Sequence, residues 1–135
     1  MHIDKSDNIY DISFSAESEQ ESIELSGMSC IESLRQAKAD SASMIFSVVN
    51  NKTVLSVGVI SKDNFMTLFT SSEKHSIAYI RLCSKALREE ARKRGFIYTR
   101  ITYWHTNARK FLRHIGFYMS SKIGGEETWV LEQKQ

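Results

Sequence analysis

The chain carries three sets of side chains capable of chemistry. Proton carriers are the first: His75 in the segment SSEKHSIAYI, and Tyr103, His105 and Tyr118 within the segment TYWHTNARKFLRHIGFY. Imidazoles and carboxylates take protons and phenols give them, provided that they lie within hydrogen-bond reach of the reacting group. Cations are the second, with Arg81, Lys85, Arg88, Arg92, Lys93 and Arg94 on one helical stretch that could meet phosphates. Glu89 and Glu90 interrupt that stretch and offer ion-pair partners to Lys85, Lys93 and Arg94, so a solvated face is the simpler expectation. Thiols are the third. Cys30 and Cys83 stand in no CxxC or Cys/His spacing, which predicts two unpaired thiols in a reducing compartment and no metal site.

These groups must be held by a small scaffold. The 135 residues suffice for one domain with a core and are too few to divide, so residues 1–135 are read as a single unit. A hydrophobic content of 41% beside 25% charged residues is that of an ordinary globular protein. No apolar run approaches the roughly 20 residues of a membrane span, and MHIDKSDN has no apolar secretory core, so no membrane contact and cytoplasmic residence are expected. The formal charge is +2, with bases crowded into Arg81 to Arg113 and acids into Asp4 to Asp40. That bias is too weak to predict a nucleic-acid partner.

Along the chain, Ile9, Tyr10 and Ile12 suggest a first strand. The Ser/Glu-rich stretch SFSAESEQESIELSG reads as a loop plus a short, loosely packed helix. Ser29 with Glu32 forms a capping box that opens a second helix through Leu34 and Ala37. MIFSVV and TVLSVGVI are β-branched runs joined by Asn50, Asn51 and Lys52, which predicts a hairpin, and a turn at Ser61 to Asn64 leads into a third strand, FMTLFT. Ile77, Ile80, Cys83, Leu87 and Ala91 fall at helical spacing up to a stop at Gly95. The alternating run IYTRITYW is a strand, and Asn107 is a suitable cap for a short helix burying Ala108, Phe111, Leu112 and Ile115. FYMSSKI and ETWVLEQ then flank Gly124 and Gly125, residues suited to a hairpin turn. The predicted order, β, α, α, then βββαβαββ, is α+β with a strand-helix-strand unit at its centre.

That order, with the residues of IYTRITYWHTNARKFLRHIGF, resembles the GNAT superfamily of acetyl-CoA-dependent N-acetyltransferases over about two-thirds of the chain, Met44 to Gln135. Asn107, Ala108, Phe111, Gly116 and Phe117 follow the family's pattern, and ALREEARKRGF looks like its long helix. The resemblance implies a mostly antiparallel central sheet with a βαβ unit and flanking helices. A narrower resemblance is to small GNAT-like proteins of bacteriophages, including a family named for an internal virion protein of short-tailed phages. It rests on a strand ending Thr70-Ser71 and on the segment from Asn107 through Phe111 and Leu112 to Ile115 and Gly116.

What the resemblance implies for a site is specific. In the family a Gly-rich turn opens the long helix and binds the pyrophosphate of coenzyme A; here His75 matches the Arg of that turn, while Ser76, Ala78 and Ile80 match its glycines. The loop has therefore lost every glycine. The expected cofactor-binding set is Phe69 and Thr70, whose backbone would polarise a thioester carbonyl, with His75, Ser76, Ile77, Ala78 and Asn107. Small Ser76 and Ala78 at a helix N-terminus leave a weakened anion site, and helical spacing turns Ile80 toward the core. Leu112 stands where many members have a proton-donating Tyr, and a leucine cannot donate. His105 is the first choice for general base, ahead of Glu73 and His75, with Tyr103, His105 and Tyr118 as stand-ins for the missing acid.

Two functions compete. One is acetyl-CoA-dependent transfer to a small amine or a protein amino group. The other is a catalytically inactive phage protein on the same fold, bound to a phage or host protein in virion assembly or host takeover. The resemblance also implies pairing through C-terminal strands into a homodimer.

Overall fold

The computed structural model describes residues 1–5, 12–40, 43–71, 76–102 and 104–133. Among them the order of elements is β1 (His2–Asp4), α1 (Ala16–Ser26), α2 (Cys30–Ala39), β2 (Met44–Asn50), β3 (Thr53–Ile60), β4 (Met66–Thr70), α3 (Ile77–Arg94), β5 (Phe96–Thr102), α4 (Thr106–Ile115), β6 (Tyr118–Ile123) and β7 (Glu126–Glu132). From β2 onward this is the predicted succession.

The strands form two antiparallel sheets, ordered β1-β2-β3-β4 and β5-β7-β6. The β2–β3 turn places Asn51 at φ 49° and Lys52 at φ 72°, the left-handed pair that a tight two-residue hairpin requires. Strands β4 and β5 run parallel on either side of the divide, and α3 is the crossover between them. They are joined at one parallel bridge, Phe65 with Tyr98, where the Tyr98 amide donates to Asn64 O at 2.9 Å.

The helices cover the sheets unequally. Phe46, Ile60 and Met66 from the first sheet, and Ile97, Ile101, Trp129 and Leu131 from the second, share one core with Leu87 and Ala91 of α3 and Leu112 and Ile115 of α4. These two helices therefore staple both sheets from one face. Side chains of opposite parity, among them Val57, Val59 and Phe69, pack on the other face with Cys30 and Leu34 of α2. Arg88 of α3 donates twice to Ile115 O at the end of α4, at 2.8 and 2.6 Å, placing a cation at the negative end of that helix. Glu90 takes Arg94 at 3.1 Å and Lys93 at 3.6 Å, and Arg94 reaches on to Ser61 O at 2.6 Å. Part of the basic run is thus spent on fastening α3 to the β3–β4 turn. Both cysteines are free and buried, and burial pushes the Cys83 thiol up to about 11.

Several expectations need correction. The N-terminal strand is His2–Asp4, paired with β2, whereas Ile12 is buried outside any strand; Ile9 and Tyr10 lie outside the described residues. The Ser/Glu-rich stretch is, as expected, a non-helical lead-in at residues 13–15 followed by a helix, here of 11 residues and opened by Ser15 Oγ accepting from the Ser18 amide at 3.2 Å. Its buried side is hydroxyl rather than apolar, so no helical hydrophobic stripe announces it. Ile77 does not join the core: it is the first residue of α3 and 69% exposed, and the buried stripe runs through Tyr79, Cys83, Leu87 and Ala91. Asn107 is not a cap, because α4 begins at Thr106 and the residue before it, His105, makes no capping bond. The capping box at Ser29 forms as expected, with the Glu32 amide donating to Ser29 Oγ at 3.3 Å.

One buried ion pair ties α4 to β7. Arg109 Nε and Nη2 each lie 2.8 Å from a Glu127 oxygen, and Trp129 Nε1 adds a third bond at 3.2 Å. Arg109 beside it holds the Glu127 carboxyl below its ordinary pKa. A depressed folded pKa contributes stability above the unfolded value that is lost as pH falls through the folded one. Arg109→Met should therefore lower the urea midpoint at neutral pH, with the deficit shrinking once pH drops below the carboxylate range.

Candidate active site

Beyond the Phe65–Tyr98 bridge, β4 and β5 diverge, and a cavity of about 320 Å³ opens in the wedge between them. Its lining includes Met66 to Thr70 from β4, Thr99 to Ile101 from β5, Ser18, Glu21 and Ser22 from α1, Tyr79 from α3, and Asn107, Ala108, Phe111 and Leu112 from α4. His105 sits where β5 gives way to α4 and also lines it.

Backbone polarity in the wedge follows from register. The Ser71 amide donates to Leu55 O on β3 at 2.9 Å, and Val57 faces Phe69 in the same ladder. Antiparallel alternation then turns the Phe69 amide toward β3 and the Leu68 and Thr70 amides toward the wedge. On the other wall the Tyr98 amide serves the bridge and the Thr102 amide serves Glu21, so the Arg100 amide between them also faces the wedge. Among the described residues neither Leu68 nor Arg100 has a partner across the gap. Two strand edges with open donors and acceptors form a slot for an extended, amide-bearing chain.

The mouth of the wedge is closed by α1. Thr70 is held there: its amide donates to Ser18 Oγ at 2.9 Å, its carbonyl accepts from the Ser15 amide at 2.8 Å, and its hydroxyl lies 3.2 Å from Ser15 Oγ and 3.0 Å from Ser18 Oγ. Opposite, Glu21 Oε2 lies 3.2 Å from the Thr102 amide, 3.2 Å from Thr102 Oγ1 and 2.9 Å from His105 Nδ1. His105 stacks on Trp104 at 5.2 Å, and Trp104 Nε1 donates to Glu24 Oε2 at 2.7 Å.

The expected residues fall into three groups. Phe69, Thr70, His105 and Asn107 are brought together around one cavity. Of the first two, Thr70 already spends its amide on Ser18, and Phe69 turns its amide into the sheet while its ring packs edge-on to Phe14 at 6.1 Å. Ser76, Ile77 and Ala78 form the start of α3, where Ser76 Oγ accepts from the Tyr79 amide at 3.2 Å. Ile80 packs against the Val48, Leu55, Tyr79 and Cys83 cluster, as helical spacing suggests. Tyr118 lies elsewhere: it is exposed on edge strand β6, and its hydroxyl donates to Glu132 Oε1 at 2.5 Å, which holds the phenol above its ordinary pKa. His75, Glu73 and Tyr103 lie outside the described residues.

Sequence reasoning missed Glu21, the Leu68 and Arg100 amides, and Tyr79, a cavity-lining phenol whose burial raises its pKa. Leu112, in the position where the resemblance expects an acid, is a buried core leucine.

No family model matches the sequence, and no curated protein does. Solved structures do match. A GNAT-family acetyltransferase from Bacillus cereus superposes with a TM-score of 0.69 at 11% identity, over 99% of this chain and 98% of that one. Aminoglycoside 6′-acetyltransferase type Ii gives 0.69 at 14% identity, over 98% and 97% of the two chains. The N-acetyltransferase PseH of Campylobacter jejuni, in complex with acetyl coenzyme A, gives 0.62 at 13% identity over 77% of each. The chain thus has the GNAT fold, an α+β architecture of antiparallel sheets parted at a central βαβ unit. Among the described residues no helix is long and apolar enough to cross a membrane, and no cluster of ligands for a metal is found.

Proposed function

We propose that the chain is an N-acetyltransferase that takes its acyl group from acetyl-CoA and gives it to an amine, small or on a protein, in the cytoplasm. The observation that carries this reading is the wedge itself, with the Leu68 and Arg100 amides open on facing edges and an imidazole, His105, at its mouth. The donor's narrow amide-bearing arm fits such a slot. Its pyrophosphate would fall to the start of α3, where the amides of Ile77 and Ala78 have no intrahelical acceptor. Ser76 supplies its own oxygen to the Tyr79 amide there, so one donor that a phosphate would use is already satisfied. Asn107 lines the same cavity and would contact the bound donor.

When bound, the donor would supply an activated acyl carbon on sulfur, and the sulfur would leave as a thiolate that takes its proton from solvent. This chain's residues have two tasks. On this reading the Leu68 amide donates to the acyl oxygen as negative charge develops on it, and His105 accepts the proton lost by the attacking amine. Isothermal titration with acetyl-CoA should give weak but saturable binding below millimolar concentration. Heatless titration at that level ends the proposal.

A second reading is supported by the glycine-free loop and by Leu112. It is a non-catalytic phage protein that uses the fold to bind a phage or host protein, in virion assembly or host takeover. It requires a stable complex that His105→Ala leaves intact, together with no turnover of acetyl-CoA by the wild type.

A further inference from the structure

We infer that Glu21 is the positioning residue of this site, fixing which nitrogen of His105 is free to take a proton; the inference rests on the acetyltransferase reading and extends it to α1. The geometry is specific. Glu21 Oε2 accepts from the Thr102 amide at 3.2 Å, and an amide can only donate. The same oxygen lies 2.9 Å from His105 Nδ1. A carboxylate has no proton to offer, so the ring nitrogen facing it must carry one, whether the ring is neutral or charged. In the neutral ring the lone pair is then at Nε2.

Rotation of the ring is fixed as well. His105 is stacked on Trp104 with an interplanar angle of 19°, and Trp104 is held by Glu24, which follows Glu21 at a spacing of three residues on α1. Residues three apart lie on one helix face. One face of α1 therefore grips both members of the Trp104–His105 pair, each by a carboxylate. Both Glu21 and His105 are mostly buried, with side chains 17% and 18% exposed, so the pair is shielded from competing water. As the amine attacks, its proton passes to Nε2, and the imidazolium so formed stays against the Glu21 carboxylate. A histidine with the opposite tautomer would present N–H to the amine and accept nothing.

A purely structural role for Glu21, tying α1 to the end of β5 through Thr102, is the alternative. It makes no demand on the ring. Nitrogen-15 NMR of histidine-labelled protein separates the two, with the His105 signals assigned by their loss in His105→Gln. The wild type should show a protonated Nδ1 and a bare Nε2, and Glu21→Gln, whose amide can donate to Nδ1, should shift His105 toward the Nε2-protonated form. Thr102→Val, which removes one structural bond, should leave the wild-type pattern. In acetyl transfer, Glu21→Gln should lower kcat at least about tenfold with KM little changed, as expected when a base is held in the wrong tautomer. A protonated Nε2 in the wild type, or an unchanged pattern in Glu21→Gln, overturns the inference. The spectra do not depend on turnover, so a protein that ignores acetyl-CoA yet shows the expected tautomer refutes the enzyme and leaves the positioning intact.

Discussion

His105→Ala should lower kcat for acetyl transfer by about a hundredfold or more, while the affinity for acetyl-CoA measured by titration stays at the wild-type value. The split follows from position. His105 lines the mouth of the wedge, where an acceptor amine would arrive, whereas the open Leu68 and Arg100 amides and the start of α3 are built from other residues. Glu21 also keeps its two bonds to Thr102 when the ring is gone, so α1 should remain seated. A loss confined to KM, or none at all, would remove His105 from the chemistry.

The largest effect on stability should come from a single methyl group. Gly58 lies directly across the β2–β3 ladder from Phe46, and a Cβ built on it would overlap Cζ and Cε1 of the Phe46 ring. That ring is 1% exposed and packed in the core beneath α3, so it has nowhere to retreat. Gly58→Ala should cost about 3 kcal/mol, the upper end of overpacking penalties, and lower the thermal midpoint by about 10 °C. Phe46→Leu removes the clashing ring atoms. In that background the alanine should cost less than about 1 kcal/mol, a coupling that a double-mutant cycle reads directly. Equal costs in both backgrounds would mean that the strand, not the ring, absorbs the methyl.

Much of this scaffold is legible in the chain because its signals are local. TVLSVGVI coincides with β3 from Thr53 to Ile60, since a β-branched run bounded by turn residues has few other conformations open to it. The end of α3 at Gly95 and the cap at Ser29 are equally local. The site is not. Glu21 and His105 are separated by 84 residues, and nothing near either marks the other. The direction of the Leu68 amide is set by the pairing of β3 with β4, which neither strand states alone. Tyr79 looks like one more aromatic on a helix until the rotation of α3 puts it, rather than Ile77, against the core. The family resemblance gave the location of the wedge but not its details: it pointed to Phe69, whose amide the register turns away, and to no residue of α1.

Among the described residues a single bridge, Phe65 with Tyr98, joins the two walls of the wedge and fixes its length. Strands that part at Phe65 and reach Thr70 five residues later leave a groove about 17 Å long, closed at one end by the bridge and gated at the other by Ser18 and Glu21. A thread that bonds to Leu68 and Arg100 can slide only until it meets the bridge, so the span limits how much of any arm can enter. On the acetyltransferase reading, an arm too long for that span would meet the bridge before it was fully seated, and the protein would select its donor by reach.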